Sequence, residues 1–490
     1  MADELPPLPA HLDPRRTTRT SRHGGGGHDR HFRFKQISLY STATIATLLS
    51  IVIVVGTGIY WWNYREFNQG INKISISSSD NVGPNTPKDI DGKDQNILIV
   101  GNDDRSTATD AELRALKTGR DGGSLLTDSM MLIHVPADGR KATLISFPRD
   151  SYVAIPGYGM NKLNSAYADA YNAANGTHEQ KVAAGANLLV RTIENLTALH
   201  VDHYVQVDLI GFVRISDAIG GIKVNMCEAV NDPATTTGGS GFKAAKGPTT
   251  ISGPRALAFV RQRYNYPLDS GEDGDFGRIK RQQYFLTAAF RQVFSGNVFS
   301  KIQKLFGAVK QSITVDGNLD PLDLGRQMQN LTANNISAQE SIPWDGFNND
   351  SPVGSVVVVH PAQVQTFVFK LIGATDPKLK TATLVDPSTV TVSVLNAGSG
   401  ENSTAQTNAT VLQKQGFSLG TVGDSPDPVT ATTIQYAEGM QDEAKTLAQY
   451  VPGALLMKTN VKALTLLLGP DGLKAKPLPK PAQTSTGTPS

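Results

Sequence analysis

Residues 261–283, reading RQRYNYPLDSGEDGDFGRIKRQQ, carry five cations in two groups: Arg261 and Arg263 two apart, then Arg278, Lys280 and Arg281. Arg278 and Gln282 are four apart and share one face of the helix that begins there. Arg261 and Arg263 share one face if residues 256–263 form a strand. Forked guanidinium donors on two rigid elements are what gripping a phosphate or pyrophosphate requires. A charge run is more often a solvated surface. Here Phe276, Tyr284 and Phe285 are interleaved, and Asp-Phe-Gly precedes Arg278, as packing and turn residues would be.

The acidic counterparts sit at the ends of apolar runs. Asp103 and Asp104 follow the run 97–100, and Asp128 precedes the run 130–135. Arg149-Asp150 follows the run 142–147, and Lys162 lies in Asn-Lys-Leu-Asn. Strand ends and adjoining loops commonly build the site in α/β sheets. Carboxylates without histidine or thiol nearby favour a hard cation, Mg²⁺ (or Mn²⁺), held by one or two carboxylates and substrate phosphate oxygens. Singly, each of these residues reads as a cap, a turn or a surface ion pair.

The elements that must position them follow from periodicity. Runs 97–100, 130–135 and 142–147 read as strands, the last two joined by Ala137-Asp138-Gly139. Val182, Ala186, Leu189, Ile193 and Leu196 recur at helical spacing, predicting an amphipathic helix over 180–198, with Gly185 inside it. Short strands are expected at 205–209 and 222–224, and helices at 279–294 and 300–313. Alternating helices and strands argue an α/β layered domain with a central mixed sheet. A smaller α/β module follows: strand 390–395, helix 405–415, strand 420–422, helix 436–449 and strand 464–468. Its Asp424, Asp427 and Glu438 are scattered and read as surface residues.

With 490 residues the chain has room for two or three domains. Its net charge of +2 gives no overall field for nucleic acid. A single cysteine, Cys227, excludes an internal disulfide and argues against a cysteine-based metal site. The nine histidines show no HExxH spacing, and four fall within the first 31 residues.

Residues 37–62 contain no charge. As a helix of about 39 Å they exceed a hydrocarbon core of roughly 30 Å. Tyr60, Trp61 and Trp62 suit the far interface. Residues 15–35 hold seven Lys/Arg against one acid, Asp29, so the N-terminus is expected in the cytoplasm and everything after Trp62 outside. A cleaved signal peptide fits less well: the apolar core is long and no Ala-x-Ala site follows. The resulting organisation is a cytoplasmic tail (1–36), a single transmembrane helix (37–62), an extracellular stalk (63–92), a catalytic domain (93–376), a small C-terminal domain (388–470) and a Pro-, Lys- and Thr-rich tail (471–490).

NILIVGNDDR, TDSMMLIHV, SFPRDSYVAIPGYGMNKLNSAY, VDHYVQVDLIGFVRISDAIGGIKV, ALAFVRQR and DFGRIKRQQYFL occur in that order. Over about residues 94–310 the chain thus resembles the LytR–CpsA–Psr family of cell-wall phosphotransferases. Residues 388–469, with TVTVSVLNAGSG and LTLLLG, resemble the LytR C-terminal domain. The resemblance implies an α-β-α layered domain holding a polyprenyl tail in a hydrophobic pocket, outside the membrane. The sheet and the helices 180–198 and 279–294 are the expected lining. It implies transfer of a glycopolymer (arabinogalactan, teichoic acid or capsule-like) from a polyprenyl-pyrophosphate carrier to a peptidoglycan hydroxyl. By position it assigns Asp103 and Asp128 to the metal. It assigns Arg149, Arg261, Arg263 and Arg278, with Gln282, to the pyrophosphate. Arg105 is the arginine of the first motif, and Lys162 joins the substrate-binding set. Arg149, Asp150, Arg263 and Arg278 are the candidate catalytic residues, with Asp150 or a metal ligand accepting the hydroxyl proton. One departure stands out: Leu126 occupies a place where many members carry an arginine. Arg120 in the preceding glycine-rich loop offers a substitute if that loop folds back. Two other functions use the same features, a polyprenyl-pyrophosphatase and a non-catalytic wall-binding or regulatory protein. The long basic tail and the C-terminal module resemble actinobacterial members, which leans towards arabinogalactan.

Overall fold

The computed structural model describes residues 72–76, 94–105, 108–116, 125–233, 239–262, 275–293, 312–319, 324, 327–337, 340–373, 376, 378–400 and 404–478. The tail 1–36, the span 37–62, residues 300–311, Arg120 and Arg263 lie outside these.

Fifteen strands are described before residue 359. They are β1 (Asn72–Ile74), β2 (Gln95–Asn102), β3 (Thr127–Val135), β4 (Thr143–Phe147), β5 (Ser151–Ile155), β6 (Gly159–Lys162), β7 (His203–Val207), β8 (Ile222–Met226), β9 (Val230–Asn231), β10 (Lys243–Ala244), β11 (Gly247–Ile251), β12 (Ile313–Asp316), β13 (Glu340–Ser341), β14 (Phe347–Asn348) and β15 (Val356–Val358). The helices among them are α1 (Asp110–Ala115), α2 (Ser165–Ala173), α3 (His178–Thr197), α4 (Leu209–Ala218), α5 (Gly253–Arg261) and α6 (Asp275–Val293), and α7 (Pro361–Ile372) follows.

The central sheet runs β1-β12-β7-β2-β3-β4-β13. β3 is antiparallel to both β2 and β4, whereas β7 is parallel to β2. It is the mixed sheet that the alternation of elements predicts. Its two faces carry different cores, as a period of two dictates. Leu98, Val100, Met130, Leu132, Ile145 and Phe147 face α3, whose Val182, Ala186, Leu189, Ile193 and Leu196 are all buried against them. Each fully buried Leu or Ile here contributes about 1.5–3 kcal/mol. Ile97, Met131, Ile133, Val135 and Leu144 form a second cluster on the opposite face, with Met328, Leu331 and Ile336.

α6 belongs to that second side. Arg291 donates to the Ile336 carbonyl (3.2 Å), and Phe285 packs on Phe212 with ring centroids 4.7 Å apart. α3 and α6 therefore do not line one pocket: the apolar stripe of α3 is closed core on the other face. Other boundaries differ from expectation for local reasons. The expected strand over 256–263 is helix α5, because Pro254 at its start and Ala256, Leu257, Phe259 and Val260 bury a helical face. β7 stops at Val207 because Asp208 caps α4, accepting from Gly211 N (2.5 Å). Ile313 begins strand β12 rather than ending a helix.

A second sheet, β14-β15-β5-β6, adjoins the first through the turn that joins β4 to β5. The C-terminal module comprises β16 (Thr391–Asn396), α8 (Ala405–Lys414), β17 (Ser418–Asp424), β18 (Thr433–Tyr436), α9 (Gln441–Tyr450), β19 (Leu455–Lys458) and β20 (Leu464–Leu468), in sheet order β17-β16-β20-β18-β19. The helix expected from 436 starts only at Gln441, since 433–436 is a buried strand paired with β20.

Gly185, the one break in the α3 pattern, marks a close approach: a Cβ there would stand 2.8 Å from the Tyr167 carbonyl oxygen and 2.9 Å from its ring. Gly185→Ala is expected to cost about 1–3 kcal/mol by overpacking, read as a lower urea midpoint. A second expectation concerns pH. His134 is buried, and desolvation holds its pKa below the ordinary 6.5; Asp94 opposes that shift and Lys141 adds to it. The unfolded chain takes up this proton in the usual histidine range while the folded chain does not. Stability is then complete above about pH 6.5 and falls below it. The melting temperature should drop between pH 7 and 5.5, and less steeply in His134→Gln.

Candidate functional site

Strand direction alone gathers the charged motifs. β2 ends, β3 begins and β4 ends at one edge of the sheet, so the residues just beyond them share that edge. Asp103 follows β2. Asp128 is the extra residue of a bulge: Gly101 pairs with Ser129 and Asn102 with Thr127. Such a bulge re-aims the side chain. Gly101 fits closely there: a Cβ would meet Ser129 Oγ at 2.4 Å, so the serine hydroxyl would have to turn away.

Arg149 and Asp150 are the central residues of the turn after β4. Ser151 N donates to Pro148 O (3.0 Å), and Ser151 Oγ donates to the same oxygen (2.7 Å). The Asn-Lys-Leu-Asn segment then stitches the edge together. Leu163 N donates to Ser151 O (2.8 Å), Asn164 N to Arg149 O (2.9 Å) and Thr127 N to Asn164 O (3.4 Å).

The side chains form an alternating line. Lys162 Nζ lies 3.5 Å from Asp150 Oδ1, and Arg149 Nε lies 3.4 Å from Asp150 Oδ2. Arg149 Nη1 donates to Asp128 Oδ1 at 2.7 Å. Beside it, Arg105 forks onto Asp103, Nε to Oδ1 at 3.0 Å and Nη2 to Oδ2 at 2.5 Å. Arg105 is buried, whereas Asp128 stays about two-fifths exposed.

The loop after Asp103 is anchored by partners that no local pattern announces. Thr109 and Glu112 form a capping box on α1, and Glu112 also takes both Arg214 Nε (2.9 Å) and Nη2 (3.1 Å) from α4. The remaining guanidinium nitrogen of Arg214, Nη1, donates to Ser312 Oγ (3.0 Å). Beneath the edge lies a buried polar chain. Tyr204 donates to Gln206 Oε1 (2.8 Å), and Gln206 also bonds Tyr167. Burial pushes the Tyr167 hydroxyl up to about 12, with Gln206 opposing and Tyr171 and Asp104 adding to the rise. Sequence reasoning missed Glu112, Arg214 and Tyr167. The first two are 102 positions apart, and only the Thr-x-x-Glu box was visible in advance.

The other predicted cations divide. Arg278 is 7% exposed on α6, with Gln282 half-buried one turn on. Arg281, buried, instead donates to the Gln262 carbonyl and ties α6 to the end of α5. Arg261 is exposed in the last turn of α5, so the strand face it was expected to share with Arg263 does not exist. Leu126 is 38% exposed just before β3, where the family pattern puts an arginine.

Among the described residues no group of three or more His, Cys, Asp or Glu could hold a metal. The edge offers two flanking aspartates and no softer donor. That set suits a hard cation that fills most of its shell with water and substrate oxygens, as Mg²⁺ does.

A family model described as the LytR_cpsA_psr family matches residues 66–366. The chain belongs to that family. A second model, described as LytR cell envelope-related transcriptional attenuator, matches residues 389–471. The chain is 34% identical over 380 residues to the cell wall biosynthesis protein LcpA of Corynebacterium glutamicum, covering 72% of this chain and 71% of that protein. It is 29% identical over 300 residues to the polyisoprenyl-teichoic acid–peptidoglycan teichoic acid transferase TagU of Oceanobacillus iheyensis, covering 60% and 81%. Among solved structures, Bacillus subtilis TagV aligns with a TM-score of 0.43 at 23% identity, covering 58% of this chain and 98% of TagV.

Burial ranks the two acidic partners. Asp103→Asn, which weakens the fork onto buried Arg105, is expected to cost about 1–3 kcal/mol. Asp128→Asn, at a half-open ion pair, should cost under about 1 kcal/mol. Equal losses in urea denaturation would refute this ranking.

Proposed function

We propose that the chain transfers a glycopolymer from a polyprenyl-pyrophosphate carrier to a peptidoglycan hydroxyl, leaving a phosphodiester. The observation that carries the reading is the single edge where Asp103–Arg105 adjoins the line Asp128–Arg149–Asp150–Lys162. It is supported by membership of a family whose relatives include proteins named as teichoic acid–peptidoglycan transferases.

Phosphoryl transfer asks for positioning and charge neutralisation more than for covalent chemistry. The acceptor oxygen attacks the sugar-linked phosphorus, the bond from that phosphorus to the bridging oxygen breaks, and polyprenyl phosphate leaves with the electron pair. Arg149, Arg278 and Arg105 bind the pyrophosphate oxygens as forks and absorb charge moving to the leaving group. Arg261, Arg263 and Gln282 complete the binding set, and Lys162 holds Asp150. Asp150, oriented by both Arg149 and Lys162, accepts the hydroxyl proton. Mg²⁺ on Asp103 and Asp128 would neutralise oxygens that the guanidinium groups leave uncovered.

The lipid tail is assigned to the α6 side of the sheet. There Ile99 and Val205, neighbours on the two central strands, are only half-buried, while Leu98, Val100 and Tyr204 on the α3 side are fully buried. The uncharged run 37–62 with its basic lead-in favours one membrane anchor and an external catalytic domain. The polymer leans towards arabinogalactan.

Arg278→Ala and Arg149→Ala are each expected to lower transfer at least a hundredfold, since removing one charge-stabilising donor costs about 10²–10³ in rate. Chelation of divalent cations should have a comparable effect. The assay supplies lipid-linked polymer and wall acceptor and follows polymer joined to peptidoglycan. Release of free polymer alone would favour the pyrophosphatase, and full transfer by both variants would end the proposal.

A further inference from the structure

We propose that an exposed aromatic pair, Trp344 and Phe347, is a stacking subsite for the neutral glycan backbone of the peptidoglycan acceptor. The inference rests on the transfer reading and adds where the acceptor lies. Trp344 is 38% and Phe347 54% exposed, with ring centroids 5.7 Å apart and planes at 56°. Single exposed apolar residues need no explanation, but adjoining aromatic faces on a rigid element mark a ligand surface.

The element is rigid. Asp345 N donates to Val358 O (3.0 Å) and Val358 N to Gly346 O (3.0 Å), so ladder bonds fix the two residues between the rings. Phe347 opposes Val357, and Asn348 opposes Val356. The same ladder fixes the distance to the chemistry. Val357 opposes Ser151, and Val357 N donates to Asp150 O (2.8 Å). Two strand spacings, about 10 Å, thus separate Phe347 from the residue next to Asp150. A sugar chain of a few units spans that gap.

Charge selects the occupant. Residues 344–355, WDGFNNDSPVGS, contain Asp345 and Asp350 and no lysine or arginine. A polyanionic polymer or an anionic lipid surface would be repelled there. The peptidoglycan backbone is neutral, because its muramyl carboxyls are tied in amide bonds to the stem peptides. Its pyranose C–H faces suit aromatic rings, and its hydroxyls suit the amides of Asn348 and Asn349. The pyrophosphate then meets the cationic edge, while the acceptor meets a segment that carries two aspartates and no lysine or arginine.

The sequence has three tryptophans, Trp61, Trp62 and Trp344. In the full chain in detergent, Trp61→Phe with Trp62→Phe leaves Trp344 as the only tryptophan reporter. Chitotetraose and polymer-stripped sacculi are the probes. A saturable change in Trp344 emission is expected. Phe347→Ala should weaken chitotetraose binding and co-sedimentation with sacculi about tenfold. It should raise KM for the acceptor and leave KM for the lipid-linked donor unchanged. Phe347→Tyr, which keeps the ring, should restore both. Unchanged sacculus binding and acceptor KM in a Trp344→Ala/Phe347→Ala variant would overturn the subsite. So would binding of stem peptide without chitotetraose, or failure of Phe347→Tyr to restore binding. The sedimentation arm needs no catalysis, so loss of transfer in the wild-type chain would count against the reaction and leave the subsite tested separately.

Discussion

Alternation of charge along one sheet edge is the constraint on which the rest of this structure turns. Lys162, Asp150, Arg149 and Asp128 stand in line, each anion between or beside cations, and Arg105 closes on Asp103 next to them. Several like charges drawn together at the end of a sheet would repel, and their desolvation would add to the cost. Interleaving opposite charges lets the edge hold them at hydrogen-bonding distance. Under the proposed function, exchanging one carboxylate partner for a phosphate oxygen would keep the same geometry of donation.

That line exists because three backbone features agree. The antiparallel pairing of β2, β3 and β4 sends two strand ends and one strand start to the same edge. The bulge re-aims Asp128, and the turn after Pro148 exposes Arg149 and Asp150. The Asn164 backbone then joins the starts of β3 and of that turn, bringing Lys162 with it.

Much of this was legible in the sequence. The apolar runs gave β2, β3 and β4 within a few residues, and the three-four spacing of Val182 to Leu196 gave α3, because each of these elements buries a regular face. The placing of the charged residues at strand ends was legible for the same reason: the ends of short apolar runs are countable. What was not legible depends on contacts distant in the chain. Residues 256–261 are apolar enough for either element, and packing against α4 and α6 selects the helix. The face on which a helix docks has no local signature, so α3 and α6 were expected to line one pocket although they cover opposite faces. Arg214 finds Glu112 across 102 positions, a pairing set by where α4 crosses the sheet and not by spacing.

The C-terminal module is held in place by the same kind of distant contact. His360, just before α7, lies 3.1 Å from Asp345 Oδ2 and 3.5 Å from Asp427 Oδ1 of the module. Thr430 N donates to Thr366 Oγ1 (3.0 Å), and Met457 is buried within the main α3-side core. The linker is fixed as well: Thr383 N donates to Asp442 Oδ1 (2.7 Å) and Val385 N to Thr446 Oγ1 (3.0 Å). A module tethered only by a flexible linker would share neither a buried side chain nor a threonine pair with its neighbour. Asp345 is the residue between Trp344 and the histidine that reaches Asp427. The aromatic pair therefore lies beside the seam of the two domains.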